Sequence, residues 1–402
     1  MILKSLKSKV SLLLVILTLS FNQTPNILAQ GLNKTPDLTK KVGESGEIAE
    51  VASIHLPDDY PEKLTQWYND NMDSRSYVVV DGETHRILAA KDADVSYPIA
   101  SMSKVAAVYL AYKALDEGTI TMDQLIEIPD EIEEFSFNPE LSNVGLHGGT
   151  KVSVEDLLNG ILLASGNDAT SALMWHLYGS EQGAVDAIKE LLTSWGITNF
   201  KFVTTSGAPN KLLPESMWVE GSGKDDENMM SAADVALMSQ HLVDDYPQVT
   251  DITSAESYIF AKDTDYEATL VNPNLLLPGR EYGRKGINGL KSGFTDAAGR
   301  NFVATGTENG REIVAVAMGV FDDDIPSYWE IEILLDALDE FPDLYQDENL
   351  PTNWKDIQLD EENEVSESSE EETQDEADDG QKYENKRDNP VTNFMKQIFS
   401  LF

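Results

Sequence analysis

The sequence predicts a domain of the α+β class, because β-rich hairpins near both ends of the domain enclose a region of helical periodicity. Each hairpin consists of two short runs of β-forming residues on either side of a turn that contains glycine. One turn contains Gly82 and the other contains Gly310. The four β-rich runs are 76–80, 86–90, 301–307 and 311–321.

Four helices are predicted between and after these runs. The first follows Pro98 and ends at Gly118, and its residues are apolar on nearly all sides, which predicts a buried helix. Ser153 and Asp156 resemble a capping box at the start of the second helix. Gly166 separates the second helix from the third, and the last helix is amphipathic and closes the domain. The predicted helices are 101–115, 153–163, 169–177 and 327–341.

The N-terminal residues 1–29 are typical of a secretory signal peptide. Three lysines precede the apolar run 11–21, and Ala29 is a small residue suited to cleavage. A membrane span needs about 20 apolar residues, so the run is short for that purpose. An uncleaved N-terminal anchor remains the alternative, and in either case the protein is expected to act outside the cytoplasm. Residues 30–46 are predicted to be a linker, and residues 47–342 the catalytic domain.

The C-terminal part of the chain changes composition after residue 342. Between Asp360 and Asp379, 12 of 20 residues are acidic and none is basic. Such a segment buries too little apolar surface to offset the entropy of ordering, so 343–388 is predicted to be a disordered acidic linker. Residues 389–402 have apolar positions at helical spacing and are predicted to be an amphipathic helix that lies on the membrane surface. A protein-docking helix or a merely adhesive tail is the alternative.

Charge and cysteine content exclude several classes of function. The net charge of −42 argues against a nucleic-acid partner, since such interfaces are built from lysine and arginine. Without cysteine the chain has no disulfide framework, no thiol nucleophile and no thiolate zinc site. The five histidines form no short metal-spaced pair, so neither a metal nor another cofactor is predicted. An exported protein without cysteine is ordinary where no oxidising folding machinery exists, and we expect a Gram-positive source.

The first chemical motif is Ser101-Met-Ser-Lys104, at the start of the predicted buried helix. Residues three apart share a helix face, so the Lys104 amine can reach the Ser101 hydroxyl. Serine is a poor nucleophile until a base removes its proton. Lysine is a base only when neutral, and burial beside another cation lowers its pKa. Alone, this spacing arises often by chance.

The second motif is Ser165-Gly-Asn167, at the break between two predicted helices. Its hydroxyl can relay a proton and its amide can hold a substrate amide. Read alone, it is a turn with helix-capping residues.

The third motif is Lys291-Ser292-Gly293, on a predicted strand over 290–295. Lys291 supplies a positive charge near Lys104, and Ser292 a hydroxyl for a substrate carboxylate. Gly293 leaves room for a substrate along the strand edge. The backbone N–H of Phe294 is expected to form an oxyanion hole with that of Ser101.

Together and in this order, the three motifs match the set of β-lactamases and penicillin-binding proteins. From residue 80 to 341 the chain resembles the D-alanyl-D-alanine carboxypeptidases, the low-molecular-mass penicillin-binding proteins. The resemblance implies a β-lactamase/penicillin-binding-protein-like serine hydrolase fold, with an antiparallel sheet flanked by helices plus a helical subdomain. The segments similar to the family are 97–104, 155–169 and 288–299.

The resemblance also implies an activity and roles for the motif residues. The expected substrate is the peptidoglycan stem peptide, from which the terminal D-alanine leaves as an acyl-enzyme forms on Ser101. Lys104 is the implied base, and Ser165 and Asn167 relay the proton and hold the substrate. Lys291 and Ser292 form the implied carboxylate site, and β-lactams are expected inhibitors.

The chain departs from the family at several points. Ser292 stands where threonine is usual. A family arginine that assists carboxylate binding lies somewhat before the third motif, whereas Arg280 and Arg284 lie closer to it here, which leaves open which basic residue assists. Residues 211–227 look like an insertion, a lid or rim loop.

Three rival functions remain open. A class A β-lactamase carries a Glu-x-x-x-Asn run after its second motif, whereas Glu155 to Asn159 precedes Ser165 here. A penicillin-sensing domain needs a transmembrane route, which hydropathy does not favour. A structural wall-binding protein is disfavoured because every catalytic position is filled.

Overall fold

The computed structural model describes residues 54–354. The predicted signal peptide, the linker 30–46, most of the acidic segment and the C-terminal helix lie outside the described residues. The strands are β1 Ser76–Asp81, β2 Ile87–Lys91, β3 Ser96–Pro98, β4 Leu125–Glu127, β5 Lys151–Ser153, β6 Met229–Ser231, β7 Ser257–Phe260, β8 Ala268–Val271, β9 Ile287–Thr295, β10 Gly299–Glu308 and β11 Arg311–Val320.

The described helices alternate with these strands in an α+β arrangement. Short 3-10 turns occur as well, of which Ala100–Ser103 matters most for the site. The α-helices are α1 Glu62–Asn71, α2 Lys104–Asp116, α3 Asp130–Ser136, α4 Val154–Leu163, α5 Asn167–Tyr178, α6 Glu181–Ser194, α7 Ala232–Asp245, α8 Val249–Thr253 and α9 Ser327–Asp339.

A five-stranded antiparallel sheet forms the centre of the domain, with strand order β2-β1-β11-β10-β9. Both predicted hairpins are present, because β1 pairs with β2 and β10 pairs with β11. The N- and C-terminal parts of the domain meet in the middle of the sheet, where β1 pairs with β11. β9 lies at one edge of this sheet and carries the residues of the third motif.

The two faces of the sheet support two separate hydrophobic cores. Side chains alternate along a strand, so Val78 and Val80 enter the larger core while Tyr77 and Val79 enter the smaller one. The larger core contains α2 and α7 and the helical subdomain α3–α6, in which α5 packs against α3, α4 and α6. The smaller core lies beneath α1 and α9.

The predicted helices are confirmed with shifted ends. α2 begins at Lys104, because Ala100–Ser103 form a 3-10 turn ahead of it, and Gly118 follows its end with a φ of 70°. The capping box at α4 is present: Ser153 Oγ accepts a hydrogen bond from the Asp156 amide at 3.0 Å. α5 starts at Asn167, two residues earlier than predicted.

The ordered domain extends beyond the boundary predicted at residue 342. Leu344, Tyr345 and Leu350 are buried in the smaller core, and Thr352 forms an isolated β-bridge with Arg86. The first residues assigned to the acidic linker, 343–354, therefore belong to the folded domain. Composition predicted the boundary too early, because the few apolar residues of this stretch are outnumbered by polar and acidic neighbours although they are buried in the core.

Candidate active site

Ser101 lies in the 3-10 turn that leads into α2, with Lys104 at the first position of the helix. The Lys104 amine donates a hydrogen bond to Ser101 Oγ at 2.9 Å. It also donates to Asn167 Oδ1 at 2.8 Å and to the Ser206 carbonyl at 2.7 Å. Three acceptors therefore fix the amine against the nucleophile, as the spacing of the first motif predicts.

The electrostatic surroundings of Lys104 favour its neutral form. Its side chain is fully buried, and this desolvation, together with the nearby charge of Lys291, lowers the pKa of the Lys104 amine well below its ordinary value. The carboxylate of Asp168 acts in the opposite direction and does not offset the two larger effects. A neutral amine has two N–H groups, which suffice for Asn167 Oδ1 and the Ser206 carbonyl, and its lone pair can then accept the Ser101 hydroxyl proton as general base.

The second motif forms the sharp connection between α4 and α5. Ser165 has a φ of 57°, in the left-handed region, and this turn directs the chain from one helix to the next. Asn167 is the first residue of α5, and its Nδ2 donates to the Ser142 carbonyl at 2.8 Å. That contact leaves Asn167 Oδ1 facing Lys104, so the amide orientation follows from its partners.

The third motif occupies the edge strand β9. The Lys291 amine donates to Ser165 Oγ at 3.0 Å and to the carbonyl of Ser292 at 3.0 Å. Burial lowers the pKa of Lys291 to about 7. Each lysine is thus hydrogen-bonded to one serine, Lys104 to Ser101 and Lys291 to Ser165, and both serines line the cleft.

Gly293 allows β9 to approach the turn that carries the nucleophile. A Cβ at this position would lie 2.7 Å from the Ile99 carbonyl oxygen and 3.1 Å from the Ser101 nitrogen. Any larger residue would separate the strand from the turn. The next residue, Phe294, exposes 60% of its surface to solvent and lines the same cleft as Ser101.

A cleft of about 660 Å³ joins the three motifs. Six of the eight predicted residues line it, while Lys104 and Lys291 are buried behind its wall and reach it through their serine partners. All eight are therefore brought together by the fold. The lining residues among them are Ser101, Ser165, Asn167, Ser292, Gly293 and Phe294.

Several residues that sequence reasoning missed support this arrangement. The carboxylate of buried Asp168 accepts the backbone N–H groups of Val144, Gly145 and Leu146 at 2.9–3.1 Å. This holds the loop in which Ser142 supports Asn167. The position of Asp168, directly after the second motif, was the available signal. The Ser206 carbonyl carries no sequence signal, because any residue supplies a carbonyl.

The two arginines considered for carboxylate binding lie elsewhere. Arg284 pairs with Glu308, Asp336 and Asp339, and neither it nor Arg280 lines the cleft. Lys211, at the start of the predicted rim loop, does line the cleft.

Residues 54–354 contain no group of three or more His, Asp or Glu side chains that could hold a metal ion, and no helix that is long and apolar enough to cross a membrane.

The central sheet, the helical subdomain and three motifs around one cleft define a protein of the penicillin-binding-protein-like fold. Residues 63–322 match the family model of the D-alanyl-D-alanine carboxypeptidases, peptidase family S11. The chain belongs to this family, and the resemblance inferred from its motifs is confirmed.

Individual relatives agree with this assignment. The chain is 30% identical over 249 residues to the D-alanyl-D-alanine carboxypeptidase DacA of Haemophilus influenzae, covering 61% of this chain and 57% of that relative. The chain thus spans a little over half the length of this relative and of a DacF relative from Bacillus subtilis.

Two solved structures share the fold. A peptidoglycan synthesis regulatory factor (PBP3) from Streptococcus pneumoniae matches with a TM-score of 0.63 and 35% identity, over 67% of this chain and 74% of that one. Penicillin-binding protein 5 from Haemophilus influenzae matches with a TM-score of 0.55 and 28% identity, over 67% and 71%.

Proposed function

We propose that this protein is a serine-type D-Ala-D-Ala carboxypeptidase that removes the terminal D-alanine from peptidoglycan pentapeptides and is inhibited by penicillins. The observation that carries the proposal is the buried Lys104 amine at 2.9 Å from Ser101 Oγ, with its pKa lowered by burial and by Lys291. An activated serine in a cleft can attack a peptide carbonyl. Family membership supports the choice of substrate.

Acylation follows from the contacts around Ser101. Neutral Lys104 takes the hydroxyl proton as Ser101 Oγ attacks the carbonyl carbon of the penultimate D-alanine. The backbone N–H groups of Ser101 and Phe294 are the proposed donors to the developing oxyanion. The proton passes to the leaving amine through Ser165, whose Oγ is 3.0 Å from the Lys291 amine, and D-alanine departs. Water then attacks the acyl carbon, with Lys104 again as base, and frees Ser101.

Substrate binding is assigned to the remaining motif residues. Asn167 holds a substrate amide, and Ser292 binds the terminal carboxylate, with the charge of Lys291 behind it. The substrate lies in the cleft along β9, beside Ser292, Gly293 and Phe294.

A β-lactamase is the rival enzyme, and the position of Glu155 speaks against it. Glu155 is an exposed residue in the first turn of α4 and does not line the cleft. Its neighbour Asn159 donates to the Glu155 carbonyl at 2.9 Å, as an ordinary helix contact. Because Glu155 lies outside the cleft and is not available as the deacylating base, a penicillin adduct on Ser101 is expected to persist.

We further propose that the protein acts at the outer face of the cytoplasmic membrane. Residues 1–29 have the pattern of a signal peptide, and 389–402 that of an interfacial helix. The acidic segment between domain and helix repels itself and extends, which gives the domain reach. A tether raises the effective concentration of wall peptides near the cleft. The proposed Gram-positive source rests on the absence of cysteine alone.

Intact mass after mixing the purified full chain with a penicillin tests the proposal, together with D-alanine release from a peptide that ends in D-Ala-D-Ala. We expect a long-lived adduct and release of D-alanine, both lost in Ser101→Ala. Rapid drug turnover without adduct or D-alanine release would establish a β-lactamase instead. A stable adduct without peptide turnover would establish a penicillin sensor.

A further inference from the structure

The carboxylate-binding hydroxyl of Ser292 faces α9 rather than the catalytic lysines. Side chains alternate along β9, so Ser292 points away from the face of Lys291. Its partner across the ladder is Phe302, and paired residues of antiparallel strands share a face. Phe302 lies in the smaller core, beneath α9. The groups that complete the carboxylate site must therefore be sought on the α9 side of the strand.

Tyr328 is the residue that α9 presents at this point. It lies in the first turn of the helix and lines the cleft with its neighbours Pro326 and Ser327. Ser292 lines the same cleft, and its side chain lowers the pKa of the Tyr328 hydroxyl against the larger, opposite effect of burial. Its ring packs edge-on against Phe302, with the ring centroids 4.7 Å apart, which fixes the direction of the hydroxyl. Two hydroxyl groups thus stand side by side at the wall of the cleft.

The nearby cations are engaged by other groups. The Lys291 amine is buried and bonded to Ser165 Oγ and the Ser292 carbonyl. Arg300 lines the cleft, but it is paired across the ladder with Phe294, two residues further along β9. Its guanidinium donates to the Asp322 carbonyl at 3.0 Å and to the Asp323 carboxylate at 3.1 Å. Both cations are therefore already held by other partners.

We propose that Tyr328 is a substrate-binding residue whose hydroxyl, with that of Ser292, donates to the terminal carboxylate of the peptide. This inference rests on the proposed carboxypeptidase function and adds the residue that selects a free C-terminal carboxylate. Each of the two hydroxyls donates one hydrogen bond to a carboxylate oxygen. Burial raises the pKa of Tyr328 to about 12, so its hydroxyl keeps the proton that it donates.

Tyr328→Phe removes the hydroxyl and retains the ring that packs on Phe302. The test compares kcat/KM for two peptides that end in D-Ala-D-Ala, one with a free carboxylate and one with a C-terminal amide. A hydrogen bond to a charged group predicts about a 10- to 100-fold loss on the carboxylate peptide, mainly through a higher KM. The amide peptide is expected to lose less than about threefold, because a neutral partner forms the weaker bond.

Two comparisons make the outcome decisive. Tyr266→Phe, on an exposed tyrosine outside the cleft, controls for the loss of a hydroxyl. Arg300→Gln tests whether the Arg300 guanidinium, rather than the Tyr328 hydroxyl, binds the substrate carboxylate. Equal losses on both peptides in Tyr328→Phe, or a selective loss in Arg300→Gln instead, would overturn the inference. If the wild-type chain does not cleave the peptide with the C-terminal amide, the test depends on the KM for the carboxylate peptide. The inference then requires Tyr328→Phe to raise this KM about tenfold.

Failure of the inference is distinct from failure of the proposed function. A wild-type chain that forms a penicillin adduct and releases D-alanine retains the proposed function even if Tyr328→Phe has no effect. A wild-type chain that releases no D-alanine removes the proposed function, and the inference with it. A double variant Ser292→Ala/Tyr328→Phe is expected to lose less than the product of the two single losses, because both hydroxyls bind one carboxylate.

Discussion

Gly293→Ala adds a single methyl group where β9 meets the turn that carries the nucleophile. The added carbon would lie 2.7 Å from the Ile99 carbonyl oxygen and 3.2 Å from the Ala100 Cβ. Ordinary contacts of a Cβ begin at 3.4 Å, so strand and turn must separate by roughly 0.7 Å. Both neighbours belong to the backbone or lie next to it, and neither can rotate away.

The separation acts on the catalytic geometry more than on the fold. It moves the backbone N–H of Phe294 away from that of Ser101, the two proposed oxyanion donors. A misplacement of about 1 Å can cost on the order of 100-fold in rate. We therefore expect acylation by penicillin to slow by about 10- to 100-fold. Overpacking of this kind costs about 1–3 kcal/mol of stability, which a domain of this size can tolerate.

The assay is the second-order rate of adduct formation, followed by intact mass, alongside the urea midpoint of unfolding. Gly223→Ala is the matched control, because a Cβ at Gly223 meets no atom within 4 Å. That variant is expected to acylate at the wild-type rate. A Gly293→Ala protein that acylates as fast as wild type would refute the argument that strand β9 and the Ser101 turn must be this close.

Three other predictions concern charge. The value of kcat/KM is expected to rise with pH as Lys104 loses its proton and to fall again near pH 7 as Lys291 becomes neutral. The variant Lys291→Arg should remove the fall, because arginine stays charged at that pH. Asp168→Asn removes the carboxylate that raises the pKa of Lys104, so the rising limb of the same profile should move to lower pH. Arg311→Met leaves the buried carboxylate of Asp81 unpaired and should cost about 2–4 kcal/mol in urea unfolding without changing acylation. Burial raises the pKa of Asp81, but hydrogen bonds from Arg311 and from the turn outweigh this effect and hold the pKa below its usual value. The difference in unfolding free energy between Arg311→Met and wild type should therefore shrink as the pH falls below about 4, because Asp81 then becomes protonated.

Local patterns predicted the elements of the fold because their causes are local. The hairpin turns at Gly82 and Gly310 and the cap at Ser153 depend on residues only a few positions apart. The start of α2 was missed, since a 3-10 turn and an α-helix place residues i and i+3 on the same side. The end of the domain was missed because the burial of Leu344 and Leu350 depends on partners far away in the chain.

The sequence by itself determined the eight motif residues, since the spacing of each motif carries its chemistry. Tertiary structure decided what surrounds them. The Ser206 carbonyl on Lys104, the loop held by Asp168 and the hydroxyl of Tyr328 beside Ser292 join segments 24 to 102 residues apart. No periodicity or short motif in the sequence indicates a contact between residues so far apart in the chain. Packing on the two faces of one sheet brings these groups together, and that packing is a property of the whole chain.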